Sequence, residues 1–146
     1  MNQESKTIIG RWVYIDLPDL DLNNVKAKVD TGAYRSSLHC EFIEKFEKDG
    51  DTYLAIQTTN MDGSPIGDHP TTLKSKGEVK VKSSNGDIQN RPLVDLTVNI
   101  AGEEHITEFT LTNRQDMKFP ILLGRKFLRG FFIVDVSLDD PSEEEE

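Results

Sequence analysis

The sequence predicts a small, mostly β domain with one short helix. Its apolar residues come in short segments, several of which alternate apolar and polar side chains as strands do. Glycine, proline, asparagine and aspartate interrupt these segments at short intervals, as expected of turns. Only one segment, near residue 125, combines a helix-compatible composition with a glycine at its end. At 146 residues, the chain is long enough for one packed domain.

The N-terminal part of the chain contains the first predicted strands. Residues 8–16 carry aromatic and branched side chains that favour a strand, and a turn is predicted at residues 18–21. Residues 25–29 alternate with period two and lead directly into Asp30-Thr31-Gly32. Extended structure resumes at residues 36–40. Asp30 is therefore expected at the exit of a strand.

The middle of the chain is less regular. Residues 41–48 fit either a short helix or a strand, because the segment is too short for its periodicity to decide. Asp49-Gly50 predicts a turn before a strand at residues 53–56. Residues 59–76 are polar and contain several glycines and prolines, so we expect a long loop there.

A hairpin is predicted next. Residues 79–82 alternate, and Asn85-Gly86 follows them, which is a strong hairpin signal because both residues accept positive φ. The return strand covers residues 88–100, where Pro92 requires an edge or a bulge because it has no N–H to donate. A further strand is predicted at residues 105–111.

The last predicted elements are a strand, a helix and a strand. After a loop at residues 113–118, the apolar run at residues 119–123 precedes a short helix at residues 125–129. Gly130 is a favourable residue to end that helix. Residues 131–136 form the final predicted strand.

Composition and charge exclude several classes of function. Residues 1–137 contain no internal repeat or linker and predict one domain, whereas residues 138–146 predict a disordered acidic tail. A net charge of -9 repels phosphate backbones, so no nucleic-acid partner is expected. No apolar run approaches the ~18 residues of a membrane span, and the start does not resemble a signal peptide. We therefore expect a cytoplasmic protein, and its single cysteine, Cys40, is expected to be a buried thiol.

The segment Asp30-Thr31-Gly32-Ala33 has the clearest chemical potential. Hydrolysis by acid–base catalysis needs a carboxylate that is held rigidly and has hydrogen-bond donors close by. The threonine hydroxyl can lock such a loop, and glycine allows a backbone N–H to approach the carboxylate. On its own, however, the motif is more typical of a plain Asx-type turn.

A second motif, Leu122-Leu123-Gly124-Arg125, lies at a predicted strand-to-helix junction. Together the two motifs resemble the retropepsins, in which an Asp-Thr-Gly-Ala loop is flanked by a strand that leads through Gly-Arg into a short helix. Residues 9–137 are similar to a bacterial group labelled ATP-dependent zinc proteases or retropepsin-like aspartic endopeptidases. The segments that carry this resemblance are residues 10–11, 16–20, 27–33, 36–39, 84–86, 91–92, 117–120, 122–125 and 130–135.

The resemblance implies an acid-protease barrel, closed or partly closed, in which particular residues have particular roles. Asp30 would be the catalytic aspartate, Thr31 would brace paired loops, and Gly32 would approach the substrate backbone. Ala33 and Tyr34 would contact substrate. Structural support would come from Leu122, Leu123, Gly124 and Arg125. Each retropepsin chain supplies one aspartate, so the resemblance implies a homodimer with its site on the two-fold axis; a monomeric barrel is the alternative.

The implied activity is that of an aspartic peptidase. A water activated between two Asp30 carboxylates that share one proton would hydrolyse peptide bonds of a peptide or protein substrate. The net acidity weakly favours basic peptides as substrates. The bacterial group is also associated with ATP-grasp glutamate ligases, which suggests that the bonds cut include glutamyl bonds. The alternative function is a non-catalytic peptide-binding or dimerisation module on the same fold.

Three features bear on these expectations. Retroviral members carry an acid after Asp-Thr-Gly-Ala that pairs with the arginine, whereas Tyr34 stands there in this chain, so Arg125 is expected to lack an acidic partner. Residues 59–76 are the candidate for the flap that would cover the site. The three histidines and Cys40 lack the spacing of zinc ligands and no phosphate-binding loop occurs, so neither a metal nor another cofactor is expected.

Overall fold

The structure, a computed structural model, describes residues 6–82, 86–113 and 119–138. Its strands are β1 (Thr7–Ile9), β2 (Trp12–Leu17), β3 (Leu22–Val29), β4 (Ser36–Lys48), β5 (Asp51–Thr58), β6 (Thr71–Lys74), β7 (Glu78–Lys82), β8 (Ile88–Ile100), β9 (Glu103–Thr112), β10 (Ile121–Leu123) and β11 (Phe132–Val134). A 3-10 turn covers Pro18–Leu20, and one α-helix, α1, covers Arg125–Leu128. The predicted tail at residues 138–146 from residue 139 onwards, the predicted loop at residues 113–118 from residue 114 onwards, and Asn85 of the predicted hairpin lie outside the described residues.

Six strands close into a ring. The neighbours run in the order β10, β3, β2, β8, β9 and β4, and β10 also pairs with β4, which completes the circuit. β5 and β6 extend the sheet beyond β4, β7 pairs with β8, and β1 with β11 forms a separate parallel ribbon. The predicted mostly β barrel with one short helix is confirmed.

The core lies inside this ring, where some strands alternate buried and exposed side chains and others, such as the start of β4 and the end of β9, are buried at consecutive residues. In β3, Ala27 and Val29 are buried, whereas the lysines between and before them are only half-buried on the opposite face. The largest side chains inside, among them Phe109, Ile15 and Leu38, are almost completely buried. Burial of one face of every ring strand fixes the register of the pairing.

Several local predictions are confirmed. Asp49 and Gly50 both have positive φ, of 54° and 84°, and form the tight turn between β4 and β5. β7 and β8 pair antiparallel as a hairpin, and Pro92 stands where β8 passes from β7 to β9, with a partner on one side only. The predicted helix after Gly124 is α1, and Gly130 beyond it has a φ of 91°.

Other segments differ from the prediction or are left open by it. Residues 41–48, which fit either a helix or a strand by sequence, continue β4 as a strand, because all of them except Ile43, which lies at a bulge, pair with β5. The predicted long loop at residues 59–76 contains β6, which pairs with β5. The predicted strand at residues 8–16 is divided at Gly10, where a Cβ would lie 2.4 Å from the Leu138 carbonyl oxygen. No helix in the described part of the chain is long and apolar enough to span a bilayer.

Candidate active site

Asp30 stands at the exit of β3, where hydrogen bonds fix its backbone. Its N–H donates to the Leu123 carbonyl of β10 at 2.9 Å, and the N–H of the preceding Val29 donates to the Arg11 carbonyl at 2.9 Å. Its side chain is half-buried. Asp30 therefore follows the last residue of β3 and is hydrogen-bonded to β10. This backbone pairing restricts the position of its carboxylate.

The next residues fold into a tight turn around the Asp30 carboxylate. Gly32 N–H donates to Asp30 Oδ1 at 3.0 Å, and Ala33 N–H donates to the Asp30 carbonyl at 3.2 Å. A Cβ at position 32 would lie 3.3 Å from Asp30 Oδ1, which is a tight contact. Thr31 and Gly32 are both exposed. The Asx-type turn and the candidate catalytic loop are thus the same structure.

The two sequence motifs meet at the start of α1. Arg125 N–H donates to the Ala33 carbonyl and Lys126 N–H to the Tyr34 carbonyl, each at 2.8 Å. The first N–H groups of a helix have no partner within it, so these two carbonyls satisfy them. Gly124 N–H donates to Ser36 Oγ at 3.1 Å, and a Cβ on Gly124 would lie 2.6 Å from the Arg35 carbonyl oxygen. A glycine at this junction lets the loop approach the helix.

Tyr34 stands in a cluster of arginines. The guanidinium carbons of Arg35, Arg125 and Arg129 lie 5.3, 5.8 and 5.8 Å from the centre of its ring. Arg125 also donates from Nη1 to the Thr31 carbonyl at 3.1 Å, so it ties the loop to the helix. The ring face provides a cation–π contact where retroviral relatives have a carboxylate. Arg125 therefore has partners in Thr31 and Tyr34, and no acidic side chain in the described part of the chain is paired with it.

Sequence reasoning missed two side chains, Lys28 and Trp12, on the face of the sheet that carries Asp30. Lys28 precedes Asp30 by two residues, and Trp12 of β2 lies directly opposite Lys28 in the antiparallel ladder. The alternation of residues 25–29, continued to Asp30, was sufficient to place Lys28 on that face. The position of Trp12 depends on the register of a separate strand, which no local pattern gives.

The three histidines have separate partners. His39 Nδ1 lies 2.8 Å from Thr59 Oγ1, His69 Nε2 lies 3.1 Å from Asp21 Oδ2, and His105 Nε2 lies 3.0 Å from Glu103 Oε1. Within residues 6–82, 86–113 and 119–138, no group of three or more histidine, cysteine or acidic side chains could hold a metal ion.

Cys40 is a buried thiol, as predicted. It is completely buried, and this burial raises the pKa of its thiol to about 12. A thiol in this environment stays protonated near neutral pH and is a poor nucleophile.

Comparison with known proteins shows the family to which the chain belongs. A family model described as RimB-like, the retropepsin-like aspartic endopeptidase RimB, matches residues 8–144. The chain belongs to the RimB-like family. The resemblance carried by the two motifs is therefore confirmed over almost the whole chain.

Relatives of this RimB-like chain include much longer proteins. One from Shewanella halifaxensis, named a probable alpha-L-glutamate ligase, is 31% identical over 138 residues, which cover 92% of this chain and 29% of the relative. Another of the same name from Parasynechococcus marenigrum is 31% identical over 133 residues, 89% of this chain and 28% of the relative. The chain thus spans less than a third of these relatives.

A solved structure shares the architecture. The crystal structure of a Legionella pneumophila protein with unknown function is 30% identical and superposes with a TM-score of 0.75. The match covers 95% of this chain and 100% of the other. The fold described above is therefore also present in a solved structure.

Proposed function

We propose that this RimB-like chain is an aspartic peptidase that acts as a homodimer and hydrolyses peptide bonds, including glutamyl bonds. The observation that supports it most is the rigid setting of Asp30. Its backbone is hydrogen-bonded to β10, its Oδ1 accepts the Gly32 N–H, and its loop is bonded to the start of α1. A preorganised carboxylate at an exposed turn is what acid–base hydrolysis of a peptide requires.

The dimer follows from the presence of one such carboxylate in each chain. Thr31 at the tip of the loop is exposed, and its hydroxyl makes no hydrogen bond within the described residues, so it is available to a second copy. The ribbon of β1 and β11 pairs Ile8 with Ile133, and these side chains are 58% and 50% exposed. Among the described residues, β1 and β11 pair only with each other, so each has an open edge, which favours pairing with another copy.

In the dimer, the two Asp30 carboxylates share one proton, because two like charges so close cannot both be ionised. The ionised carboxylate takes a proton from water as the water oxygen attacks the scissile carbonyl carbon. The protonated carboxyl gives its proton to the carbonyl oxygen. As the tetrahedral intermediate collapses, the C–N bond breaks and a proton passes to the leaving nitrogen. No covalent intermediate with the protein forms.

Two observations support glutamyl substrates. Sequences similar to this chain occur within proteins named probable alpha-L-glutamate ligases, so a bond made by such a ligase is a reasonable target for the peptidase. Three arginines, Arg35, Arg125 and Arg129, surround Tyr34, and of these Arg35 Nε also lies 3.8 Å from Glu108 Oε1. Guanidinium groups beside the site attract the carboxylates of an acidic peptide.

A second candidate function is a peptide-binding or dimerisation module without hydrolysis. The observation that favours it is Tyr34. The Arg125 guanidinium is held by the Thr31 carbonyl and this ring, so the loop lacks the acid–arginine pair of the retroviral proteases. In that case the groove would bind peptides and leave them intact.

The decisive experiment is Asp30→Asn. We expect the wild-type chain to cleave oligoglutamyl peptides, detected by mass spectrometry between about pH 4 and about pH 8, and the variant to cleave none while it keeps its circular dichroism and its sedimentation as a dimer. Equal cleavage by both would refute the role of Asp30. A reproducible blank for the wild type, with peptide binding retained, would favour the module.

The dimer has its own test. Ile8→Glu places a charge on the exposed ribbon and is expected to shift the sedimentation coefficient towards the monomer and to lower hydrolysis in parallel. The control is Ile88→Glu, because Ile88 is 65% exposed on β8, outside the ribbon, and this change is expected to leave both unchanged. A wild-type chain that is monomeric at micromolar concentration would refute the shared site.

A further inference from the structure

Lys28 lies on the wall of the barrel next to Asp30. Ala27 and Val29 point into the core, so Lys28 and Asp30 share the opposite face of β3. In the two neighbouring strands, Trp12 lies opposite Lys28 in the ladder of β2, and Leu122 lies opposite it in the ladder of β10. Side chains in register on adjacent strands stand on the same face. These half-buried residues therefore form the surface that continues directly from the Asp30 carboxylate.

The Lys28 ammonium is held by aromatic rings. Its Nζ lies 4.8 Å from the centre of the Trp12 ring and 5.7 Å from that of Phe119. The two rings meet edge to face, with 4.7 Å between their centres and an angle of 83°. Within the described residues, Lys28 has no carboxylate partner and no hydrogen bond. Cation–π contact thus positions this charge and leaves its N–H donors for another group.

The chemistry of this surface, which we call the Lys28–Trp12 platform, fits an acidic side chain. Its rings offer apolar contact to a short aliphatic stem, and its ammonium offers a charge-assisted hydrogen bond to a carboxylate at the end of that stem. Lys26 Nζ lies 4.4 Å from the same Trp12 ring. A glutamate side chain of a peptide extended past Asp30 has both parts.

We propose that Lys28 is a specificity-determining residue that binds a substrate glutamate carboxylate beside Asp30, with Trp12 and Phe119 as the apolar walls. This inference rests on the proposed peptidase for its role in cleavage, but the binding itself does not need hydrolysis. On this proposal, the preference for an acidic substrate residue comes from the face of the barrel that carries Asp30. The arginines around Tyr34 form a separate group.

Trp12 makes the binding measurable, because it is the single tryptophan of the chain. We would titrate the Asp30→Asn chain with an octaglutamate peptide and, separately, an octaglutamine peptide, and follow tryptophan fluorescence. We expect saturable binding of octaglutamate only. Lys28→Met should weaken it about tenfold, the usual effect of losing one charge-assisted hydrogen bond, and Lys28→Arg should restore most of it. Lys48→Met, at an exposed lysine of β4, is the matched control.

The outcomes separate this inference from the proposed function. Equal octaglutamate affinity for the Lys28→Met and Lys48→Met variants, or equal binding of the two peptides, would overturn the platform. A wild-type chain that binds octaglutamate through Lys28 but cleaves nothing would refute the peptidase and leave the platform standing. A chain that cleaves glutamyl and glutaminyl peptides with equal kcat/KM, before and after Lys28→Met, would refute the platform and leave the peptidase.

Discussion

Replacing Gly124 with alanine is expected to destabilise the protein and to loosen the candidate active-site loop. The new Cβ would lie 2.6 Å from the Arg35 carbonyl oxygen, 2.7 Å from its carbonyl carbon and 2.9 Å from the Tyr34 carbonyl oxygen. Comfortable contacts between such atoms are about 3.5 Å. All three are backbone atoms, so no side-chain rotation relieves the clash. Overpacking of this kind costs about 1–3 kcal/mol.

The shift needed to relieve the clash also disturbs the hydrogen bonds that join the loop to α1. Arg125 N–H to the Ala33 carbonyl and Lys126 N–H to the Tyr34 carbonyl are both 2.8 Å, and weakening them costs about 1 kcal/mol more. We therefore expect the free energy of unfolding to fall by about 2–4 kcal/mol. With a urea dependence of about 2 kcal/mol per molar, the midpoint should fall by about 1–2 M.

Equilibrium unfolding in urea, followed by tryptophan fluorescence and by circular dichroism, measures this loss. Gly32→Ala is the control, because its Cβ would contact only Asp30 Oδ1, at 3.3 Å. That variant should keep its unfolding midpoint within about 0.5 M but lose hydrolysis, since the new atom crowds the carboxylate. A Gly124→Ala midpoint within about 0.3 M of the wild type would refute the reasoning, because the clash would then be relieved cheaply.

Three further experiments, two with substitutions and one with chemical labelling, test other parts of the structure. Hydrogen bonds from Lys126 and Lys76 lower the pKa of Glu108 from 4.5 to about 2. After allowance for solvent screening, Glu108→Gln should therefore lower the free energy of unfolding by about 1–2 kcal/mol at neutral pH. That difference should be complete above about pH 4.5 and disappear as the pH falls towards 2; a difference independent of pH would contradict it. Cys40 should react with a maleimide only after unfolding, because burial raises the pKa of its thiol to about 12. Fast labelling of the folded protein would contradict this burial. Phe109→Ala should lower the free energy of unfolding by about 3–5 kcal/mol in the same urea assay, and a loss below about 1 kcal/mol would show that the barrel collapses around the cavity.

Much of the barrel could be predicted because its signals are local. Alternation at residues 25–29 reflects a strand with one face in the core, and at residues 79–82 it reflects a strand whose valines are half-buried and whose lysines are exposed. The turn at Asp49 and Gly50 could be predicted because their backbone needs positive φ, which few other residues accept. The same locality made the Asp30 loop and the Gly124 junction visible as motifs.

Other features depend on pairing between distant parts of the chain. Residues 41–48 have apolar side chains that fit a helix, yet the neighbouring β5 supplies a ladder for the whole segment and makes it a strand. The split of the first predicted strand at Gly10 depends on the chain returning at Leu138, whose carbonyl accepts the Arg11 N–H. Neither contact leaves a periodic pattern in the sequence.

The candidate site shows the same division. Asp30, Thr31 and Gly32 could be named because their spacing resembles a known loop. Phe119 could not, because it reaches the Lys28 ammonium only through the parallel pairing of β10 with β3. The roles assigned to these residues in catalysis and substrate binding stay predictions.

Net charge and local charge give opposite indications about the substrate, and the local charge is the better guide. The chain carries -9 overall, which on its own favours basic peptides. Charges separated by more than about 8–10 Å are largely screened at physiological salt, so we expect the charged side chains on the elements around Asp30 to matter more than the net charge. These are Lys28 on one side and Arg125, with the other arginines around Tyr34, on the other. If the proposed substrate assignment holds, both groups attract the carboxylates of an acidic peptide, whereas the net negative charge of the chain repels the same peptide at a distance.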